Sequence, residues 1–460
     1  MEMATAVNVP RAATIPPHTR RRAEPRLGLL PRILVFLLPL VAAMNPVLPI
    51  VGPVSPFPLV GAMLFVVGVM HVRPGMPVGP VRTAAWLFAV PLLLVSLLTL
   101  LTRFGAAWAH NEAVSVLSGL LAVLGLCMIR LTRGVLRLLM NGWLLTFAVT
   151  GALAVLEFFT GFRLGVSYLD VNPLASDVGI VSVFFNPNNY AAFLALSLPI
   201  LIVGHALARS KGLRSAYVLA LVGSVPLMVV TNSRFGYAAM LVFIAVWLVL
   251  RWRRFVTRVV VALLGFGAVL TVSVFANRVV SGYWGDIQYS IPVLGLTIPV
   301  DASLYARWNL ALNGLDTLAV DPLFGAGPGG FEIHAQGTPA VRQTFRIINP
   351  HNGVIELLSQ YGILMLVLAV VLTLSLFVVG SRHLRRSEAG TPERAMSFAL
   401  VCGVLMLPLI LLMNSSYLEI LHTWAALAVF VAIGAYLSTT PPTERESTGS
   451  LPADADGARA

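Results

Sequence analysis

The chain has 460 residues, of which 58% are hydrophobic and 11% are charged, and its formal net charge is +12. A water-soluble domain carries about 25% charged residues, so this chain cannot cover itself with a solvated surface, and its apolar segments must face lipid while satisfying their own backbone. The positive charge is spread as short Arg clusters between apolar stretches, not gathered in one domain; that excludes nucleic acid as a partner and marks a membrane topology signal.

A basic tail, 1–26, carries Arg11, Arg20, Arg21, Arg22 and Arg26. The apolar run after it is broken by Pro39 and Asn45 and shows no clear cleavage site, so it reads as a retained first span. Windows of about 20 apolar residues, the length that crosses a bilayer, fall near 30–48, 57–72, 83–102, 113–130, 136–158, 189–206, 215–231, 235–250, 257–276, 354–380, 395–413 and 420–438. The second and eighth are short. Pro39, Pro91, Pro199, Pro226 and Pro408 lie within spans, where neighbouring helices can re-satisfy the freed carbonyls. Cys127 and Cys402 both fall in apolar stretches, so neither a structural disulfide nor a Cys metal site is expected.

The connections alternate in charge. Every second one is basic: Arg73 and Arg82; Arg130, Arg133 and Arg137; Arg209, Lys211 and Arg214; Arg251, Arg253, Arg254 and Arg258; Arg382, Arg385, Arg386 and Arg394. Those between hold few cations for their length. Positive residues stay inside, so the expectation is an all-α polytopic protein of the cytoplasmic (inner) membrane with about twelve transmembrane helices and both termini in the cytoplasm. The organisation read from this is a cytoplasmic tail 1–26, spans one to nine within 27–276, a large extracytoplasmic loop 277–353, spans ten to twelve within 354–438, and a polar, Pro-rich, disordered cytoplasmic tail 439–460. Long loops carry function disproportionately, so chemistry is expected on the outer face.

Arg234 sits in the short turn Thr231-Asn-Ser-Arg-Phe-Gly236, on the side that otherwise avoids Arg. A planar guanidinium makes forked bonds to phosphate; the alternative is snorkelling to the headgroups. In the large loop, 302–319 has helical periodicity, with Leu304, Trp308, Leu312, Leu315 and Leu318 as its apolar stripe, and is expected to lie along the membrane surface or pack on the span ends. The run Gly325-Ala-Gly327-Pro-Gly329-Gly330 spells a dinucleotide fingerprint, but no strand precedes it and Pro328 interrupts it. Its glycines allow close approach to a neighbouring helix, the favoured reading, or to a phosphate. Asn349-Pro350-His351-Asn352 then leads into a span, with His351 or Asn352 as cap and Glu356 in the first turn. A neutral imidazole there could accept a hydroxyl proton, or the ring could serve only as a cap.

Together these motifs resemble the O-antigen ligase and polymerase superfamily. Asn-Pro-His-Asn-Gly at 349–353 resembles its His-Asn span entry, 231–236 its Ser-Arg turn, 307–312 and 321–331 its loop helix with the Pro-Leu-x-Gly-x-Gly ending, and Asn186-Pro-Asn-Asn-Tyr190 its Asn-rich span entry. The resemblance implies a fold like that of the C-type membrane glycosyltransferases. It implies transfer of a glycan from a polyprenyl diphosphate carrier to a hydroxyl of a glycan or lipid-glycan acceptor, with inversion and without metal or other cofactor. Carried onto this chain, it implies His351 as general base and Arg234 and Arg307 as diphosphate clamps. Arg342, Arg346 and Asn352 are further candidates. No Asp-x-Asp occurs in an external loop, in keeping with a metal-free site. The competing class is a transporter or flippase of a lipid-linked glycan or small solute. Transporters favour mid-membrane charges and repeated halves, and here the notable charges sit at span ends.

Overall fold

The computed structural model describes residues 27–48, 55–72, 78–102, 106–164, 179–251, 289–293, 295–300, 302–337, 342–345, 347–412 and 416–439. The basic tail 1–26, the expected span 257–276, Arg346 and nearly all of the tail 439–460 lie outside them. The described chain is almost wholly helical. Its helices are α1 (Leu29–Met44), α2 (Pro56–His71), α3 (Pro80–Thr102), α4 (Ala107–Met128), α5 (Arg133–Thr160), α6 (Pro187–Leu207), α7 (Lys211–Val230), α8 (Arg234–Arg251), α9 (Ala302–Leu318), α10 (Gly330–Gly337), α11 (Gly353–Arg386), α12 (Pro392–Leu411) and α13 (Leu421–Thr439). Among the described residues, eight helices are long and apolar enough to cross a membrane, and α1, α2 and α8 are shorter apolar helices. The chain is a polytopic helical membrane protein, and these helices coincide with the apolar windows.

Spans α6 and α13 form the centre, each with 83% of its apolar window buried, whereas α7 has 22% and lies at the periphery. An aromatic group fills the middle: Phe184 and Phe193 pack edge-on against His422, Tyr190 stacks on Phe184, and Trp143 donates to Ser197 Oγ at 2.9 Å. Lipid supplies no hydrophobic drive between spans, so close packing of small residues must hold them. A Cβ on Gly68 of α2 would lie 2.8 Å from the Gly125 carbonyl oxygen of α4, and one on Gly142 of α5 would collide with the Phe36 carbonyl of α1.

Two features of the large loop were not foreseen. First, an antiparallel hairpin, β1 (Tyr289–Val293) and β2 (Leu296–Val300), precedes α9, with Tyr289 opposite Val300 and a turn at Gly295 (φ 79°). Pro292 and Pro299 hide these strands from a reading by propensity. Tyr289, Tyr305 and Phe345 pack together, tying the hairpin to α9. Second, α9 buries the face opposite the apolar stripe. Ala306, Asn309, Leu310, Asn313, Gly314 and Thr317 are buried, while Leu304 and Leu315 are each 47% exposed. The Asn309 amide donates to the Gln343 carbonyl, and the Asn313 side-chain oxygen accepts from the Arg342 N–H. Hydrogen bonds to 342 and 343 thus tie the polar face of the helix to that segment.

Helix α11 is two helices joined at Gly362, whose φ of 76° lies in the left-handed region. A break inside a span frees backbone groups that lipid cannot satisfy. Here the glycine-rich loop satisfies them. Ser359 and Gln360 carbonyls accept from the N–H groups of Ala326 and Gly327, both at 2.8 Å. In return Ile363 N–H donates to the Pro322 carbonyl at 2.9 Å. The exchange needs close backbones: a Cβ on Gly325 would lie 2.5 Å from the Gln360 carbonyl carbon. The glycine run therefore serves packing against a helix.

Gly362→Ala should cost roughly 2 kcal/mol or more, since the new Cβ meets a left-handed backbone and the Leu323 carbonyl together. Thermal unfolding of the detergent-purified protein reads this. Gly212→Ala, with nothing within 4 Å of the added carbon, should leave the midpoint unchanged.

Candidate active site

The site is built from the start of α11 outward. Asn352 caps the helix, its side-chain oxygen accepting from Val354 N–H at 3.0 Å and Ile355 N–H at 3.3 Å. His351 is held at φ 51° just before it and takes no part in the cap. The half-buried imidazole is pushed down to about 4, first by burial and then by the nearby Arg307 cation. It is therefore neutral at pH 7, with a ring nitrogen able to accept a proton.

Arg307 comes from the middle of α9. Its Nη1 donates to the Leu412 carbonyl at the end of α12, at 2.9 Å, and its guanidinium stands 5.3 Å from the centroid of the Phe235 ring. Phe235 follows Arg234, the exposed first residue of α8. The turn before it is rigid: Asn232 is at φ 53°, the Ser233 hydroxyl donates to Asn188 Oδ1 at 2.8 Å, and Ser233 Oγ accepts from Gly236 N–H. The starts of α8 and α11, the end of α12 and the middle of α9 thus meet at one end of the bundle. Arg234, Arg307 and His351 all belong to that end.

The other candidates fall differently. Arg342 ion-pairs with Asp316 and bonds to Asn313, so its guanidinium is engaged along α9. Asn352 spends its oxygen on the cap. Arg346 lies outside the described residues.

Buried carboxylates hold this end together, and sequence reasoning passed over most of them. Glu356 accepts from Tyr417 N–H at 2.6 Å and Leu418 N–H at 3.1 Å, pinning the α12–α13 turn beside the Leu412 carbonyl that Arg307 uses. Glu112 of α4 accepts from Gly329 N–H at 2.9 Å and from the Tyr361 hydroxyl at 2.8 Å. Glu157, at the end of α5, accepts from Val181 and Ser182 N–H groups and from Arg163. Carboxylates that accept backbone N–H bonds are fixed in place. The only signal in the sequence was a lone acid at the edge of each apolar window. Among the described residues no group of three or more His, Cys, Asp or Glu is arranged to hold a metal ion.

Two more acids, Glu332 of α10 and Glu419 of the α12–α13 turn, lie outside the spans. Burial pushes the Glu332 carboxyl up to about 8, and repulsion from Glu419 adds to the rise. Burial pushes Glu419 up to about 7. At neutral pH the Glu332 carboxyl is therefore mostly protonated and the Glu419 carboxyl about half so.

Residues 218–370 match a family model described as O-Antigen ligase. That interval contains Arg234, Arg307, Arg342, Arg346, His351 and Asn352. Over 187 residues the chain is 26% identical to the teichuronic acid biosynthesis protein TuaE of Bacillus subtilis (strain 168), an alignment covering 40% of this chain and 37% of that protein. The chain thus spans less than two fifths of the length of that curated relative.

Two titrations follow from these environments. The His351 imidazole should stay neutral until the pH falls toward about 4, and Arg307→Gln should raise its titration point by removing the cation while burial still holds it low. Histidine-selective NMR reads both; an unchanged value in the variant would separate the two groups. A carboxyl whose folded value is raised stabilises the fold below its unfolded value of 4.5 and loses that contribution as pH rises through the folded value. The protection factors of the α10 amides, taken after correcting for the intrinsic pH dependence of exchange, should therefore fall from about pH 5 to about pH 9, and Glu332→Gln should flatten that fall.

Proposed function

We propose, from the premise that this chain belongs with the O-antigen ligase superfamily, that it transfers a glycan from a polyprenyl diphosphate to an acceptor hydroxyl at the end of the bundle carrying His351. The acceptor is a glycan or lipid-linked glycan. The reading takes that end as the outer face of the cytoplasmic membrane, on the charge alternation of the connections, with both termini on the inner side. It assigns the chain to polysaccharide biosynthesis, in keeping with the Bacillus subtilis relative, a teichuronic acid biosynthesis protein.

One observation carries the reading: a neutral imidazole and a fixed guanidinium share one end of the bundle, with a second guanidinium one residue from the ring under the first. The chemistry balances with those groups. The acceptor oxygen attacks the anomeric carbon from the face opposite the diphosphate, and the configuration inverts. His351 takes the hydroxyl proton. The bond from carbon to diphosphate oxygen breaks, and its electron pair leaves with the diphosphate. Negative charge growing on that oxygen is met by Arg307 and Arg234. A diphosphate is stable as an anion, so the step asks for neither a strong general acid nor a metal. Arg307 is held by Leu412 and Phe235 before substrate arrives, and such preorganised charge favours the transition state.

The test uses the purified protein in liposomes with a polyprenyl-diphosphate-linked glycan. His351→Ala should insert and unfold normally but lose transfer by about 10²- to 10⁴-fold. Arg307→Lys should also be impaired, because an ammonium cannot reproduce the fork, and a chelator should leave the rate unchanged. Wild-type transfer by His351→Ala would remove the general-base role. In cells lacking the protein, accumulated single repeat units would indicate a polymerase and accumulated lipid-linked polymer a ligase. Unchanged glycans with an altered solute profile would indicate transport instead.

A further inference from the structure

At the end of the bundle opposite His351, α8 and α11 finish and α12 begins. Leu250, Ser381, Leu384, Arg385, Arg394 and Val401 line a cavity of about 420 Å³ there. Among the described residues its polar groups are of one kind: two guanidiniums and a hydroxyl, with no carboxylate. Ser381 and Arg385 are four residues apart on α11 and share a helix face. Arg394 is fixed in place, its Nη1 donating to the Leu384 carbonyl at 3.1 Å and the Ser387 carbonyl at 3.0 Å. Arg385 is exposed and makes no hydrogen bond or ion pair among the described residues. The described acids at this end, Glu388 and Glu393, do not neutralise the cavity. Glu393 is committed to Arg133 at 2.6 Å, and Glu388 is exposed in the α11–α12 turn, outside the lining.

We propose that this cavity binds the phosphate headgroup of an anionic phospholipid from the adjoining leaflet. The helix ends place the guanidiniums at headgroup depth, and Leu250, Leu384 and Val401 supply the apolar wall that an acyl chain requires. A planar fork on a fixed stem suits a phosphodiester. A topology signal alone would leave all the cations at this end equivalent. Here Arg385 and Arg394 line the cavity and the neighbouring Arg382 and Arg386 do not.

The probe is phosphatidylglycerol, added to the full-length protein delipidated in a neutral detergent and read by thermal shift and native mass spectrometry. Phosphatidylglycerol should stabilise the protein and remain bound, while phosphatidylcholine and inorganic phosphate should do neither. Arg385→Gln should weaken binding about fivefold, Arg385→Lys should weaken it less, and Arg382→Gln should bind like the wild type. Ser381→Phe fills the cavity without removing a charge and should weaken binding as well; it decides the matter if Arg385→Gln fails to fold. Equal binding by Arg385→Gln or Ser381→Phe, or equal stabilisation by phosphatidylcholine, would overturn the proposal. An equal shift with inorganic phosphate would make this a free-anion site and would overturn the lipid assignment.

Discussion

A membrane span can be interrupted only where something other than lipid takes up the freed backbone groups. In this protein that constraint is met at Gly362, where the helix Gly353–Arg386 breaks and the loop at 322–327 completes its hydrogen bonding. Two carbonyls and two N–H groups of the broken helix find partners in the loop at 322–327, upstream in the chain. The glycines of that loop bring the two backbones within bonding distance, and Pro322 supplies an acceptor where it could never be a donor. Loop and span thus become one rigid piece. The short helix from Gly353 to the break owes its orientation to that joint.

Everything that defines the site is attached to this joint. Glu112 holds both sides of it, through Gly329 and the Tyr361 hydroxyl. One turn before the break, Glu356 reaches the α12–α13 turn. That turn follows Leu412, whose carbonyl holds Arg307. Gly314 of α9 lies against Ile355 of α11, where any larger residue would collide. The general logic is that of a rigid scaffold presenting a few residues from different elements. His351 and Arg307 come from segments far apart in sequence, and neither helix alone would place its residue.

Much of this was legible from the amino acids. Hydropathy located the spans because lipid imposes one rule on every helix that crosses it. Arg234 stood out because it occupies a tight turn on the sparsely charged side, and His351 because it precedes a helix start beside a proline. The buried face of α9 was not legible. Its stripe of Leu304 and Leu315 marks a face for the membrane surface or the span ends, and nothing local shows that the opposite face meets the polar backbone of 342–345, which Asn309 and Asn313 bond. The hairpin was hidden by Pro292 and Pro299. Choosing the cap was beyond local sequence as well: Asn352 and His351 are both chemically able, and backbone conformation decided for Asn352. Glu112, Glu332 and Glu419 were missed because their partners are remote in sequence and a single acid scarcely changes a hydropathy window.

The account stands on the imidazole of His351 and the guanidiniums of Arg307 and Arg234 facing one bound diphosphate. The most direct measurement is an experimental structure with a polyprenyl diphosphate sugar bound. The account predicts phosphate oxygens within hydrogen-bonding distance of both guanidiniums, and the His351 ring on the opposite side of the anomeric carbon. A diphosphate seated at the other end of the bundle, or a His351 ring turned away from the sugar, would contradict it.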